Sequence, residues 1–146
     1  MRIPEFIINA VSTYHNEWRH PRLASPEHSE VYALFPQESQ DTPTSANWPD
    51  DWPLAARPGV YLIFGDKMQL LYVGKTGWLG SRLSDYFKYS AGRGSACRIV
   101  HGGWRNRPMF IATIAVAESF ESAALEEYLI RTVHPQENKL LVESPN

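Results

Sequence analysis

At 146 residues the chain has room for one domain of ordinary size, and its 43% apolar and 12% aromatic content exclude disorder throughout. The single cysteine, Cys97, excludes an internal disulfide and a cysteine-based zinc site. No apolar run approaches a membrane span, and Glu5 with the polar breaks after it interrupts any signal-peptide centre, so a soluble cytoplasmic protein with no membrane partner is expected.

The net charge of −2 hides an uneven distribution. Residues 1–56 carry three Lys/Arg against eight Asp/Glu (−5), residues 57–107 nine against two (+7), and residues 108–146 two against six (−4). A middle third this basic inside an acidic chain points to a surface aimed at an anion, although a solvated face would show the same charge.

In chain order, Ile3, Phe6, Ile7, Ala10, Val11, Tyr14 and Trp18 are spaced as one stripe of an amphipathic helix over residues 3–18. Pro21 ends it, and Ser25-Pro26-Glu27 predicts a second helix running to Phe35, stopped by Pro36. His15, His20 and His28 lack the i,i+4 spacing of a metal pair and read as surface residues. Residues 37–53 are polar and punctuated by proline, a linker in which Trp48 and Trp52 serve as anchors. The dense folding unit is expected to begin near Arg57, with an N-terminal helical extension and proline-rich linker over 1–56.

Residues 58–76 predict a hairpin. With its turn centred on Asp66-Lys67, Tyr61 pairs directly with Tyr72, and both phenols share one face; Val60, Leu62 and Phe64 line the other. Lys75 follows the second strand. A helix over 77–90, capped by Thr76, carries Leu79, Leu83, Tyr86 and Phe87 inward with Arg82 at the edge of that stripe. Residues 95–101 predict a short helix, and Met109–Val116 a central strand covered on both faces. The last helix spans about 120–133 with Ser119 as N-cap. On it, Glu127 has Arg131 four residues on, an exposed ion pair, whereas Glu126 has Ala123, Leu129 and Ile130 around it. A carboxylate on an apolar face is costly unless paired, protonated or bound to a metal.

Gly74-Lys75-Thr76 after a strand suggests a phosphate-binding P-loop, but position 69 is Gln69 where that loop needs glycine, so ATP or GTP binding is rejected. What remains is Tyr61, Tyr72, Lys75, Arg82, Glu126 and Asn138. Phosphodiester hydrolysis needs a cation on the phosphate, an activated water and stabilisation of developing charge. A lone carboxylate suits Mg²⁺, which keeps most of its waters. A phenol with its ordinary pKa near 10 is only about one-thousandth ionised at pH 7, so Lys75 or metal-bound water must help a tyrosine act as base. Taken singly, the tyrosines read as core aromatics and Glu126 as a buried partner of Arg82; taken together, the six read as a site.

The segment resembles the GIY-YIG endonuclease superfamily, and is similar to the nuclease domain of the bacterial excision-repair endonuclease. Gly59-Val60-Tyr61 and Tyr72-Val73-Gly74 stand at the two tripeptides, followed by Lys75, Arg82-Leu83, Tyr86-Phe87, Ala124-Leu125-Glu126, Leu129-Ile130, Pro135 and Asn138. The resemblance implies an α+β fold, a small three-stranded antiparallel sheet flanked by helices, with the nuclease domain over 57–146. It implies DNA as partner with RNA not excluded, Mg²⁺ or Mn²⁺ as cofactor held by Glu126, and homodimers in some members. Arg82 and Lys75 then serve the phosphate and the nucleophile, Tyr72 or Tyr61 the proton, and Asn138 supports the site. Lys88, Arg93, Arg98, Arg105 and Arg107, with Trp78 and Trp104, would supply the nucleic-acid surface. Two alternatives stand beside this: a non-catalytic nucleic-acid-binding module that keeps the fold, and a protein-interaction domain whose acidic N-terminal helices face a basic partner.

Overall fold

The computed structural model describes residues 1–34, 46–47, 52–89, 96–99 and 104–138, with 46–47, 86–89 and 96–99 described as backbone only. The first element is helix α1 (Glu5–Trp18), which buries Ile7, Ala10, Val11 and Tyr14 of the stripe expected from the sequence and leaves two further members, Phe6 and Trp18, at the edge and end of that stripe, exposed. The second predicted helix does not form. Its residues make two short strands, β1 (Glu27–His28) and β2 (Tyr32–Ala33), both antiparallel to a later strand. That later strand would otherwise present an open edge, and pairing it outweighs the local Ser-Pro-Glu signal. Trp52 behaves as the expected anchor: it is buried, T-shaped against Tyr32, and its Nε1 donates to Ser84 Oγ at 3.2 Å. Trp48 lies outside the described residues.

The hairpin consists of β4 (Gly59–Phe64) and β5 (Leu70–Thr76). Its register departs from the predicted one by two residues: Tyr61 is opposite Gly74, and Tyr72 opposite Ile63. The connection is longer than a two-residue turn. Met68 N–H donates to Gly65 O, Met68 takes a left-handed φ of 57°, and the Gln69 side chain bonds Asp66 Oδ1 and Lys67 N–H. A turn followed by a left-handed residue and a bulge is the usual longer hairpin connection. Because side chains alternate with period two, a two-residue shift leaves every side chain on its predicted face.

Strand β8 (Phe110–Ala115) lies between β4 and the β1/β2 edge, buried on both faces as expected. The sheet order is β1-β8-β4-β5 with β2 also on β8, so among the described residues the three expected strands β8, β4 and β5 are extended at the β8 side into a five-stranded antiparallel sheet. Helices cover both faces. Helix α3 (Glu121–Val133) and α1 pack on Val60, Leu62, Phe64, Val73 and Ile114, while α2 (Leu79–Tyr86) packs Leu79 and Leu83 on Tyr61, Ile63 and Ile111. The fold is α+β.

Three finer expectations are corrected. Helix α2 starts at Leu79, and its first N–H groups are satisfied by Arg57 O (from Leu79, 2.9 Å) and Ala55 O (from Gly80, 2.8 Å), with β5 running through Thr76. Ser119 is not the cap of α3; Phe120 holds that position without a side-chain bond, and Ser122 Oγ donates to Ser119 O. The predicted helix over 95–101 is replaced by strand β7 (Ala96–Ile99), which lies between β3 (Ala46–Asn47) and β6 (Phe87–Tyr89) in a small antiparallel sheet. Two cross-strand ladders there satisfy backbone groups that a one-turn helix would leave open.

The N-terminal helix is tied to α3 by a buried pair. Arg19 meets Glu121 through two hydrogen bonds of 2.6 and 2.8 Å, with side chains only 3% and 9% exposed, and also donates to Ala24 O at 2.7 Å.

Candidate active site

The hairpin sets Tyr61, Ile63, Tyr72 and Gly74 on the α2 face. Tyr61 and Tyr72 are diagonal neighbours, with ring centroids 6.0 Å apart and planes tilted by 42°. Both tripeptide glycines are required by close approach. A Cβ at Gly74 would lie 2.1 Å from Cζ and from the hydroxyl of Tyr61, and one at Gly59 would lie 2.0 Å from Ile114 O. The Tyr61 ring therefore crosses β5 directly over Gly74. It is 1% exposed, and its hydroxyl accepts from Arg82 Nε at 3.4 Å. Arg82 lies on α2 one turn past Trp78 and also faces Asp85 at 3.9 Å, both side chains being about half exposed. Tyr72 is half-buried, and Trp104 packs edge-on against it at 6.0 Å. Trp104 is thus a support for Tyr72 rather than an open surface residue.

The outer edge of β5 is where the last helix meets the hairpin. Asn138, buried, uses its amide on both backbone groups of Val73: Oδ1 accepts from Val73 N–H and Nδ2 donates to Val73 O, each at 2.9 Å. Glu137 N–H donates to Leu71 O at 2.8 Å, so residues 137–138 grip the strand on either side of Tyr72. Two residues beyond Val73, Lys75 lies close enough to Glu126 for its charge and its backbone N–H to act on the carboxylate. Burial pushes the Glu126 carboxyl above the usual glutamate range, and the Lys75 charge and N–H pull it part of the way back. Glu127, one position on, is exposed and pairs with Arg131 at 3.0 Å, so the two glutamates separate by helix face as the sequence implies.

Tyr61 and Glu126 approach the same dipeptide from opposite sides. The Tyr61 hydroxyl lies over Gly74, and Glu126 lies beside the next residue, Lys75. Tyr61, Tyr72, Arg82, Lys75 and Glu126 are thereby gathered around Tyr72–Lys75, with the Lys75 side chain exposed. Asn138 braces the strand. Glu126, half-buried, fits a divalent ion that keeps most of its waters. Among the described residues no three His, Cys, Asp or Glu side chains converge.

Of the cations expected on the nucleic-acid surface, Arg105 and Arg107 are exposed on the segment after Trp104. Positions 88 and 98 are register partners in the small sheet; their side chains, and Arg93, lie outside the described residues. Glu137 was not among the residues expected at the site. It is 1% exposed, accepts the Arg105 backbone N–H, and so holds Trp104 in place against Tyr72. Its only signal was a carboxylate beside the motif asparagine.

Residues 57–139 match the UvrC-like GIY-YIG domain. The chain belongs to this family. It is 36% identical over 87 residues to the UvrABC system protein C of Pseudomonas putida, a stretch covering 60% of this chain and 14% of that protein. To the UvrABC system protein C of Chlamydia abortus it is 35% identical over 95 residues, with the same coverage, and to that of Pseudomonas aeruginosa 36% over 85 residues, 58% of this chain and 13% of the relative. The GIY-YIG chain therefore spans about one-seventh of the length of these curated relatives. No helix among the described residues is long and apolar enough to cross a membrane.

Proposed function

We propose that this GIY-YIG domain is a divalent-metal-dependent endonuclease that hydrolyses phosphodiester bonds in DNA. The observation that carries the proposal is the joining of two half-sites through Gly74-Lys75: Tyr61 with Arg82 on one side, Glu126 on the other. A Mg²⁺ or Mn²⁺ ion held by Glu126 would polarise the phosphate and make its bound water more acidic. Arg82, fixed by the Tyr61 hydroxyl, is positioned for charge developing on a phosphate oxygen, and the exposed Lys75 ammonium for the same anion. Tyr61 is too enclosed to meet bulk water, whereas Tyr72 is half-open; Tyr72, as the phenolate favoured by the nearby Lys75 ammonium and the metal charge, would accordingly take the proton of the attacking water, and Tyr61 orients Arg82. Trp104 and residues 137–138 hold Tyr72 in place.

Nicking of supercoiled plasmid in Mg²⁺ or Mn²⁺ tests this, comparing wild type with Glu126→Ala. Wild-type nicking that is abolished by EDTA and by the substitution is expected. Equal activity in both proteins, or none in either across several substrates, overturns the proposal. DNA bound tightly but never cut would instead identify a binding module that keeps the fold.

A further inference from the structure

Six large apolar side chains are conspicuously exposed among the described residues, and four of them, Met1, Phe6, Trp18 and Leu23, belong to the acidic N-terminal segment. The other two flank the candidate active site. Trp78 is 62% exposed and Phe120 77% exposed. They come from distant parts of the chain, but the residues just before them are near neighbours: a Cβ built at Gly77 would be 3.9 Å from Ser119 Cβ.

Both aromatics project from fixed backbone. Trp78 N–H donates to Thr76 Oγ1 at 3.1 Å, Trp78 O accepts from Arg82 N–H at 3.2 Å, and the next residue, Leu79, is fully buried. Phe120 precedes Glu121 and Ser122, which are 8% and 5% exposed, with Glu121 locked to Arg19. Holding two large apolar side chains in water on rigid supports has no benefit for the fold. The surroundings of Trp78 are cationic: Lys75 lies three residues before it and Arg82 one helical turn, about 5.4 Å, beyond it, in the segment of net charge +7, whereas Phe120 stands between Glu118 and the Arg19-paired Glu121. Rigid aromatics beside a phosphate site match a strand whose base is free to stack, and a paired base inside a duplex presents no such face.

We infer that Trp78 and Phe120 form a stacking platform for an unpaired nucleobase next to the phosphate held by Arg82 and Lys75. This rests on the nuclease proposal for the phosphate site and narrows its substrate class to DNA with unpaired nucleotides at the cut: single strands, junctions or locally opened duplex.

The test measures binding of the full chain, in EDTA so that nothing is cut, to a short single-stranded oligonucleotide and to a fully paired duplex of the same sequence. Trp78→Ala and Phe120→Ala are each expected to weaken single-strand binding by about five- to a hundredfold and duplex binding by less than about twofold. Trp78→Phe, which keeps a ring, should restore most of the loss. Equal effects on both nucleic acids, no effect on either, or no wild-type binding to the single strand overturns the platform. So does a change in oligomeric state with single-strand affinity intact, which would make the patch a contact between copies. Plasmid nicking by the wild type in Mg²⁺ is scored separately, so the platform can fail with the nuclease proposal standing, and the reverse.

Discussion

Adding one methyl group at Gly74 probes the geometry on which the site depends. Gly74 lies within β5, so the cost of Gly74→Ala comes from sterics. The new Cβ would stand 2.1 Å from both Cζ and the hydroxyl of Tyr61, against about 3.5–4.0 Å for relaxed contacts, so the ring must retreat by roughly 1.5 Å. It has nowhere to go, because Leu79 and Leu83 of α2, both fully buried, close the other side. Overpacking of this kind costs about 1–3 kcal/mol, and at this chain length lowers the melting temperature by about 3–12 °C. It also tilts the hydroxyl away from Arg82, so nicking should fall at least tenfold. A double-mutant cycle read by denaturant unfolding isolates the cause. Tyr61→Leu removes Cζ and the hydroxyl, and in that background Gly74→Ala should cost less than about 0.5 kcal/mol. A Gly74→Ala protein that melts with wild type, or pays the same penalty without the phenol, refutes the crossing of Tyr61 over Gly74.

Glu121→Ala strands a buried guanidinium, which costs about 3–5 kcal/mol, so its melting temperature should fall by roughly 10 °C or more in calorimetry. Asn138→Ala leaves both Val73 backbone groups unpaired at the edge of β5; amide hydrogen exchange should accelerate at Val73 well before global unfolding. For Glu126 the sign follows from a folded-state pKa raised by burial: wild-type stability is complete below the unfolded glutamate pKa of about 4.3 and declines as pH rises through the folded value. Glu126→Gln has no such decline. In EDTA it should melt above wild type at pH 8 and with it at pH 4, and added Mg²⁺ should raise only the wild type.

The parts of this fold legible in the sequence were those governed by short-range periodicity. The stripes of α1 and α3, the two-sided burial of β8 and the division of faces in the hairpin all follow from residue spacing, and the division survived a wrong register because the error was an even number of residues. The separation of Glu126 from Glu127 was legible for the same reason. Illegible were features decided by partners distant in sequence. Residues 25–35 carry a sound helix-start signal, yet the open edge of β8 draws 27–28 and 32–33 into strands. Thr76 reads as a cap, but the carbonyls of Arg57 and Ala55 arrive first. Glu137 offered only its place beside Asn138 as a signal, because its partner, the Arg105 backbone, is contributed by a loop thirty-two positions away.

The most direct test of a single metal-bearing carboxylate at this site compares two adjacent glutamates on one helix. Glu126→Gln and Glu127→Gln each remove one charge from α3 and change almost no volume, but one faces Lys75 of β5 and the other faces water with Arg131. In single-turnover nicking with saturating Mg²⁺, Glu127→Gln should stay within about twofold of wild type, while Glu126→Gln should fall to background with DNA affinity retained. Equal rates for the two variants would contradict the account.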